Sequence, residues 1–93
     1  MNDCLVIFGP QLPENRRKEV YDHMRHAEGV TACCHVAETI FGVRTAESHP
    51  ELFSRVQKLV EPDLVIVVAP LAGAWSSRHA LSAFRCFRQS DDD

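Results

Sequence analysis

The spacing of apolar residues changes repeatedly along the chain, and each change marks an element. Residues 4–8 (CLVIF) form a continuous apolar run, which predicts a short strand buried on both faces. Gly9-Pro10-Gln11-Leu12-Pro13 breaks the run. A helix is predicted over residues 13–28, opened by Pro13 and Glu14 and closed by Gly29. Its apolar stripe is narrow: Val20, Met24 and Ala27, flanked by Tyr21 and His23. The polar flank carries Glu14/Lys18 and Asp22/His26 at i,i+4 spacing.

From residue 30 the period falls to two. Val30, Ala32, Cys34 and Val36 fall on one side, and Thr31, Cys33 and His35 on the other. Thr39, Phe41, Val43 and Thr45 alternate with Ile40, Gly42 and Arg44. The two stretches read as a hairpin turning at Ala37-Glu38, which sets Cys34 opposite Phe41 and Ala32 opposite Val43 on the core face. Ala-Glu suits a tight primed turn poorly, so a longer or bulged loop is the alternative.

Ser48-His49-Pro50-Glu51 is a capping box, with Ser48 as N-cap and Glu51 at N3. Leu52, Phe53, Val56, Leu59 and Val60 then make a helical stripe predicted to face the core, and Pro62 ends it. Residues 63–69 (DLVIVVA) are the strongest strand signal, apolar on both sides. A third helix is predicted over residues 77–89 after Ser76 or Ser77, with Ala80, Leu81, Ala83, Phe84 and Phe87 on its apolar side.

The resulting order, β-α-β-β-α-β-α, predicts one α/β (α+β) domain over residues 1–89, with residues 90–93 a disordered acidic tail. Its first six elements fit a ferredoxin-like βαββαβ sheet, and the last is an additional C-terminal helix. A small open parallel sheet of the flavodoxin or receiver type is the alternative. In a parallel sheet the loops after the first and last strands would share one carboxyl edge, where helix N-termini offer N–H groups to an anion. Neither loop carries a GxGxxG or Walker A pattern, so both read as ordinary connections. Two strands apolar on both faces need cover on the second face, which the third helix or a partner subunit would supply.

Composition narrows the function more than it specifies it. Ninety-three residues can bury roughly 60–65% of their unfolded surface as one small domain. The formal charge of −3 comes entirely from Asp91-Asp92-Asp93, leaving a neutral body with no general pull on nucleic acid or anionic lipid. No apolar run is long enough to span a bilayer, so no membrane association is expected. The chain opens Met1-Asn2-Asp3 without a basic region, and the four cysteines have no CxxC spacing. They read as reduced thiols of a cytoplasmic protein.

Cys33-Cys34-His35 is the most reactive-looking stretch. Alternation on a strand prevents all three from meeting one metal. Cys33 and His35 share a face and are the weak metal candidates, two ligands where a structural zinc wants four. A packed strand with polarisable side chains is the favoured reading. His23 and His26, at i,i+3, read as a solvated helix flank. No cofactor, catalytic group or activated cysteine nucleophile is expected. Arg16 and Arg17, beside Lys18, form one basic cluster; Arg78, Arg85 and Arg88 of the third helix form the other, near Trp75. Either could contact a partner or nucleic acid.

Two stretches resemble known families. Pro62-Asp63-Leu64-Val65-Ile66-Val67-Val68 looks like the third strand of response-regulator receiver domains, which implies an α/β sheet. Val68 stands at their phosphoacceptor position and Gly9-Pro10 in place of their acidic pair, so phosphorelay chemistry does not carry over. Glu14-Asn15-Arg16-Arg17-Lys18-Glu19-Val20 is similar to the first helix of the small ferredoxin-like CRISPR-adaptation nucleases, and Thr39-Ile40-Phe41 falls near their SVFE segment. Phe8 or Gly9 occupies the place of their catalytic aspartate. The expectation is therefore a small non-enzymatic interaction or regulatory module, homodimeric. The alternative is a nucleic-acid-binding protein using the arginines of the third helix.

Overall fold

The computed structural model describes residues 2–71. In chain order these form β1 (Asn2–Phe8), α1 (Glu14–Arg25), β2 (Val30–Ala37), β3 (Ile40–Thr45), α2 (His49–Val56) and β4 (Ile66–Pro70). A 3-10 turn at Gln57–Leu59 extends α2. The helix predicted over residues 77–89 and the acidic tail lie outside the described residues.

The four strands make one sheet in the order β2-β3-β1-β4, and every neighbouring pair is antiparallel. This corrects the parallel-sheet alternative. It also corrects the shared carboxyl edge, because β1 and β4 run in opposite directions. The Gly9 N–H donates to the Val65 carbonyl at one end of the pair, and the Leu71 N–H to the Asp3 carbonyl at the other. The α1 crossover joins β1 to β2 with β3 between them; the α2 crossover joins β3 to β4 with β1 between them.

Both helices lie against one face of the sheet. From β1, Cys4, Val6 and Phe8 enter this core; from β3, Phe41 and Val43. The helices add Val20, Met24, Leu52 and Val56, and Leu12 closes the end. Phe8 and Phe41 meet edge to face with centroids 5.8 Å apart. Each such fully buried apolar side chain contributes about 1.5–3 kcal/mol.

The helix ends follow local chemistry. α1 opens at Pro13 and stops at Arg25, three residues before the predicted end. Gly29 does not cap the helix directly. It sits at φ +87° in the turn into β2, a conformation that favours glycine, and its carbonyl accepts from the Ala46 N–H. α2 has the predicted capping box between Ser48 and Glu51. Leu52 and Val56 are fully buried. Phe53, predicted to face the core, is instead 38% exposed, because it lies at the margin of a stripe centred on Leu52 and Val56.

The hairpin turns at Glu38-Thr39, one residue later than predicted. Ala37 pairs with Ile40, His35 with Phe41, Cys34 with Gly42 and Cys33 with Val43. A one-residue slip exchanges faces, so Cys33 and His35 lie on the helix side and Cys34 on the second face, the reverse of the expectation. Register shifts between Val30 and Ala32 and between His35 and Ala37 leave Thr31 and Val36 as extra residues in β2.

β4 begins at Ile66, later than the sequence pattern predicts, because the Leu64 N–H is taken by the Glu61 carbonyl in a turn. Its last residue is a proline. The Gly9–Val65 and Leu71–Asp3 bonds fix the alternation: Val65, Val67, Ala69 and Leu71 turn their backbone groups toward β1. Ile66, Val68 and Pro70 turn theirs away. Pro70 is tolerated because the N–H it lacks would point outward from the edge.

Candidate functional site

The second sheet face is assembled from alternate residues of all four strands. Ala37, Ile40, Ile7 and Val67 lie in one row across it, and Cys34, Gly42, Leu5 and Ala69 in the next. The rows are apolar, but their exposure is uneven. Cys34 is 1% exposed and Gly42 is buried; Leu5, Ile7, Ile40 and Ala69 are half-buried. Toward β4 the face opens: Val67 is 47% exposed, and Val65 just before the strand is 57% exposed.

At the other end of this face, Asp3 stands opposite Arg44 across the β1–β3 ladder. The guanidinium donates to both carboxylate oxygens, at 2.7 and 3.0 Å. Such a bidentate pair holds two charges in place beside apolar neighbours. Nothing in the sequence marks this pair, since residues so far apart in the chain meet only once the register is known.

The cysteines divide by face. Cys34 is disulfide-bonded. This corrects the reading of four reduced thiols and removes the argument for a cytoplasmic setting that rested on it. Cys4 and Cys33 are free thiols. Burial pushes the Cys33 thiol up to about 12, outweighing the lowering influence of Arg25 and Arg55. Burial also raises Cys4, with Asp3 and Glu47 adding to the shift. Neither is activated as a nucleophile.

His35, the other weak metal candidate, shares the helix side with Cys33. Its ring stacks on Phe41 at 4.8 Å, and its Nε2 lies 3.0 Å from the Glu38 carbonyl oxygen. Tyr21 stacks on the same phenylalanine at 6.0 Å and donates its hydroxyl to the Cys33 carbonyl. These residues form an aromatic wedge between α1 and the β2–β3 hairpin. Among the described residues, no group of three or more His, Cys, Asp or Glu could hold a metal ion.

A second polar cluster ties β3 to α2. Glu47 accepts from Arg55 at 2.8 and 2.9 Å and from the buried Thr45 hydroxyl at 2.9 Å. The Arg55 bond holds the Glu47 carboxyl below its ordinary range, against the opposing effect of burial. Neither residue stood out in the sequence, where eight positions separate them.

In the first basic cluster Arg16 and Arg17 also make contacts within the fold, while Lys18 is exposed. Arg16 donates to the Leu59 carbonyl and pairs with Glu19 at 2.9 Å; Arg17 donates to the Leu12 carbonyl at 3.3 Å. Trp75, Arg78, Arg85 and Arg88 lie outside the described residues. A groove of about 500 Å³ beside α1 is lined by Glu19, Asp22, His23, His26, Arg55 and Leu59. A smaller one of about 360 Å³ lies between Pro13, Arg16 and the Val60–Leu64 turn. Charged and imidazole side chains dominate the first, whereas the second mixes apolar Leu12, Pro13, Val60 and Leu64 with Arg16, Glu61 and Asp63. Among the described residues, no helix is long and apolar enough to cross a membrane.

No protein-family model, curated protein or solved structure matches the chain.

Proposed function

We propose that this protein is a non-enzymatic interaction module that works as a homodimer. The observation that carries the reading is the exposure of Val65 and Val67 at the open end of an apolar sheet face. Single exposed valines are ordinary, but these adjoin Ile7 and Ala69 in one continuous strip along an edge strand. Residues 64–74 carry no charge that would discourage association there. The reading takes the fold as ferredoxin-like, supported by the antiparallel order β2-β3-β1-β4 and the two crossovers.

Arg16 and Arg17 each use part of their guanidinium on contacts within the fold, which favours the protein-interaction reading over a nucleic-acid surface. The chemistry around Cys33 and His35 points the same way: a raised thiol and a stacked imidazole suit packing better than reaction.

Light scattering over a dilution series from about 1 μM to 1 mM tests the proposal, a range wide enough for a weak dimer. The mean mass should rise from monomer toward dimer as concentration increases. A monomer mass throughout that range contradicts the dimer.

A further inference from the structure

We infer that two copies of this chain join edge to edge through β4, antiparallel, with Val67 facing its own counterpart across the two-fold axis. This rests on the dimer reading and specifies its geometry. β4 ends the strand order, and among the described residues only β1 pairs with it. Within the strand, Ile66 and Val68 carry both an outward N–H and an outward carbonyl, whereas Pro70 offers a carbonyl alone. The Leu64 N–H, next in the outward series, is already bonded to Glu61.

These limits select a register. When Ile66 of one copy faces Val68 of the other, each residue donates to and accepts from its opposite. Every outward group of the two residues is then satisfied without Pro70 or Leu64. A shift by one pair in either direction would have to draw on one of those residues. The two-fold axis in the selected register passes through Val67, a non-hydrogen-bonded pair whose Cα atoms stand about 4.5 Å apart. The valines then pack against each other on the second face, and Val65 comes opposite Ala69 of the other copy. The most exposed apolar side chains of the described region are thereby covered, and the two sheets become one continuous sheet.

Cysteine cross-linking reads this register directly, because a disulfide spans Cα atoms about 4.4–6.8 Å apart. Under mild oxidation V67C should give a covalent dimer, and so should V65C mixed with A69C. V65C alone should not, since its two copies would lie about 14 Å apart along the paired strands. Wild type, carrying Cys4 and Cys33, provides the background lane. V67K, with its circular dichroism unchanged, should remain monomeric at concentrations where wild type is dimeric.

If wild type dimerises while V67C fails to cross-link, or V65C alone cross-links as well, the edge pairing is overturned and the dimer reading survives. If wild type is monomeric throughout, both fall together.

Discussion

Glu47 shows how a single side chain can tie two elements together. Its carboxylate receives both Arg55 donors and the Thr45 hydroxyl, while its own N–H donates to that hydroxyl. A carboxyl held low in the folded state stabilises the fold above its unfolded pKa, about 4.3. That contribution is lost as pH falls through the depressed folded value. E47Q should therefore lose about 1–2 kcal/mol near pH 7, with the deficit shrinking below about pH 4. Urea melts at several pH values check this, and a deficit independent of pH would contradict it. Cys33 offers a contrast at the same scale: one position away from Cys34, it faces the opposite side of the sheet and is buried enough to stay protonated.

Among the elements, α2 is the most legible in the sequence and also carries a correction. The Ser48–Glu51 capping box and the Leu52/Val56 pair follow directly from spacing. Helical periodicity, however, defines a stripe without saying where its centre points, and Phe53 falls at the margin. L52A should cost about 2–5 kcal/mol, whereas F53A should cost clearly less because much of the ring already meets water. Equal losses in denaturant melts would mean that the helix is rotated from its assigned position. The α1–β2 turn permits a second check: G29A must place a Cβ residue at φ +87°, which should cost about 1–2 kcal/mol. An unchanged midpoint would exclude that conformation. The hairpin was legible as an element but not in its register. Neither Ala37-Glu38 nor Glu38-Thr39 has the glycine or asparagine that identifies a tight turn, so composition could not place it within one residue. The faces of Cys33, Cys34 and His35 all follow from that one position.

For the whole molecule, the order of elements was enough to anticipate a sheet with both crossover helices on one side. The antiparallel pairing of β1 with β4 was not separable from a parallel one by apolar content, since both strands look equally greasy. The ion pairs Asp3–Arg44 and Glu47–Arg55 were hidden for a related reason: each requires tertiary placement before its partners meet. Among the described residues, the outward feature is an edge strand with exposed valines, outward peptide groups at Ile66 and Val68, and a proline at its end.

Amide hydrogen exchange of the full chain, followed residue by residue at low and high protein concentration, tests the central claim most directly. The Val67 N–H, turned toward β1, should be protected at both concentrations. Protection of the Ile66 and Val68 N–H groups should rise with concentration as a second β4 comes to accept from them. Exchange at Ile66 and Val68 that is the same at both concentrations would contradict self-association through this strand.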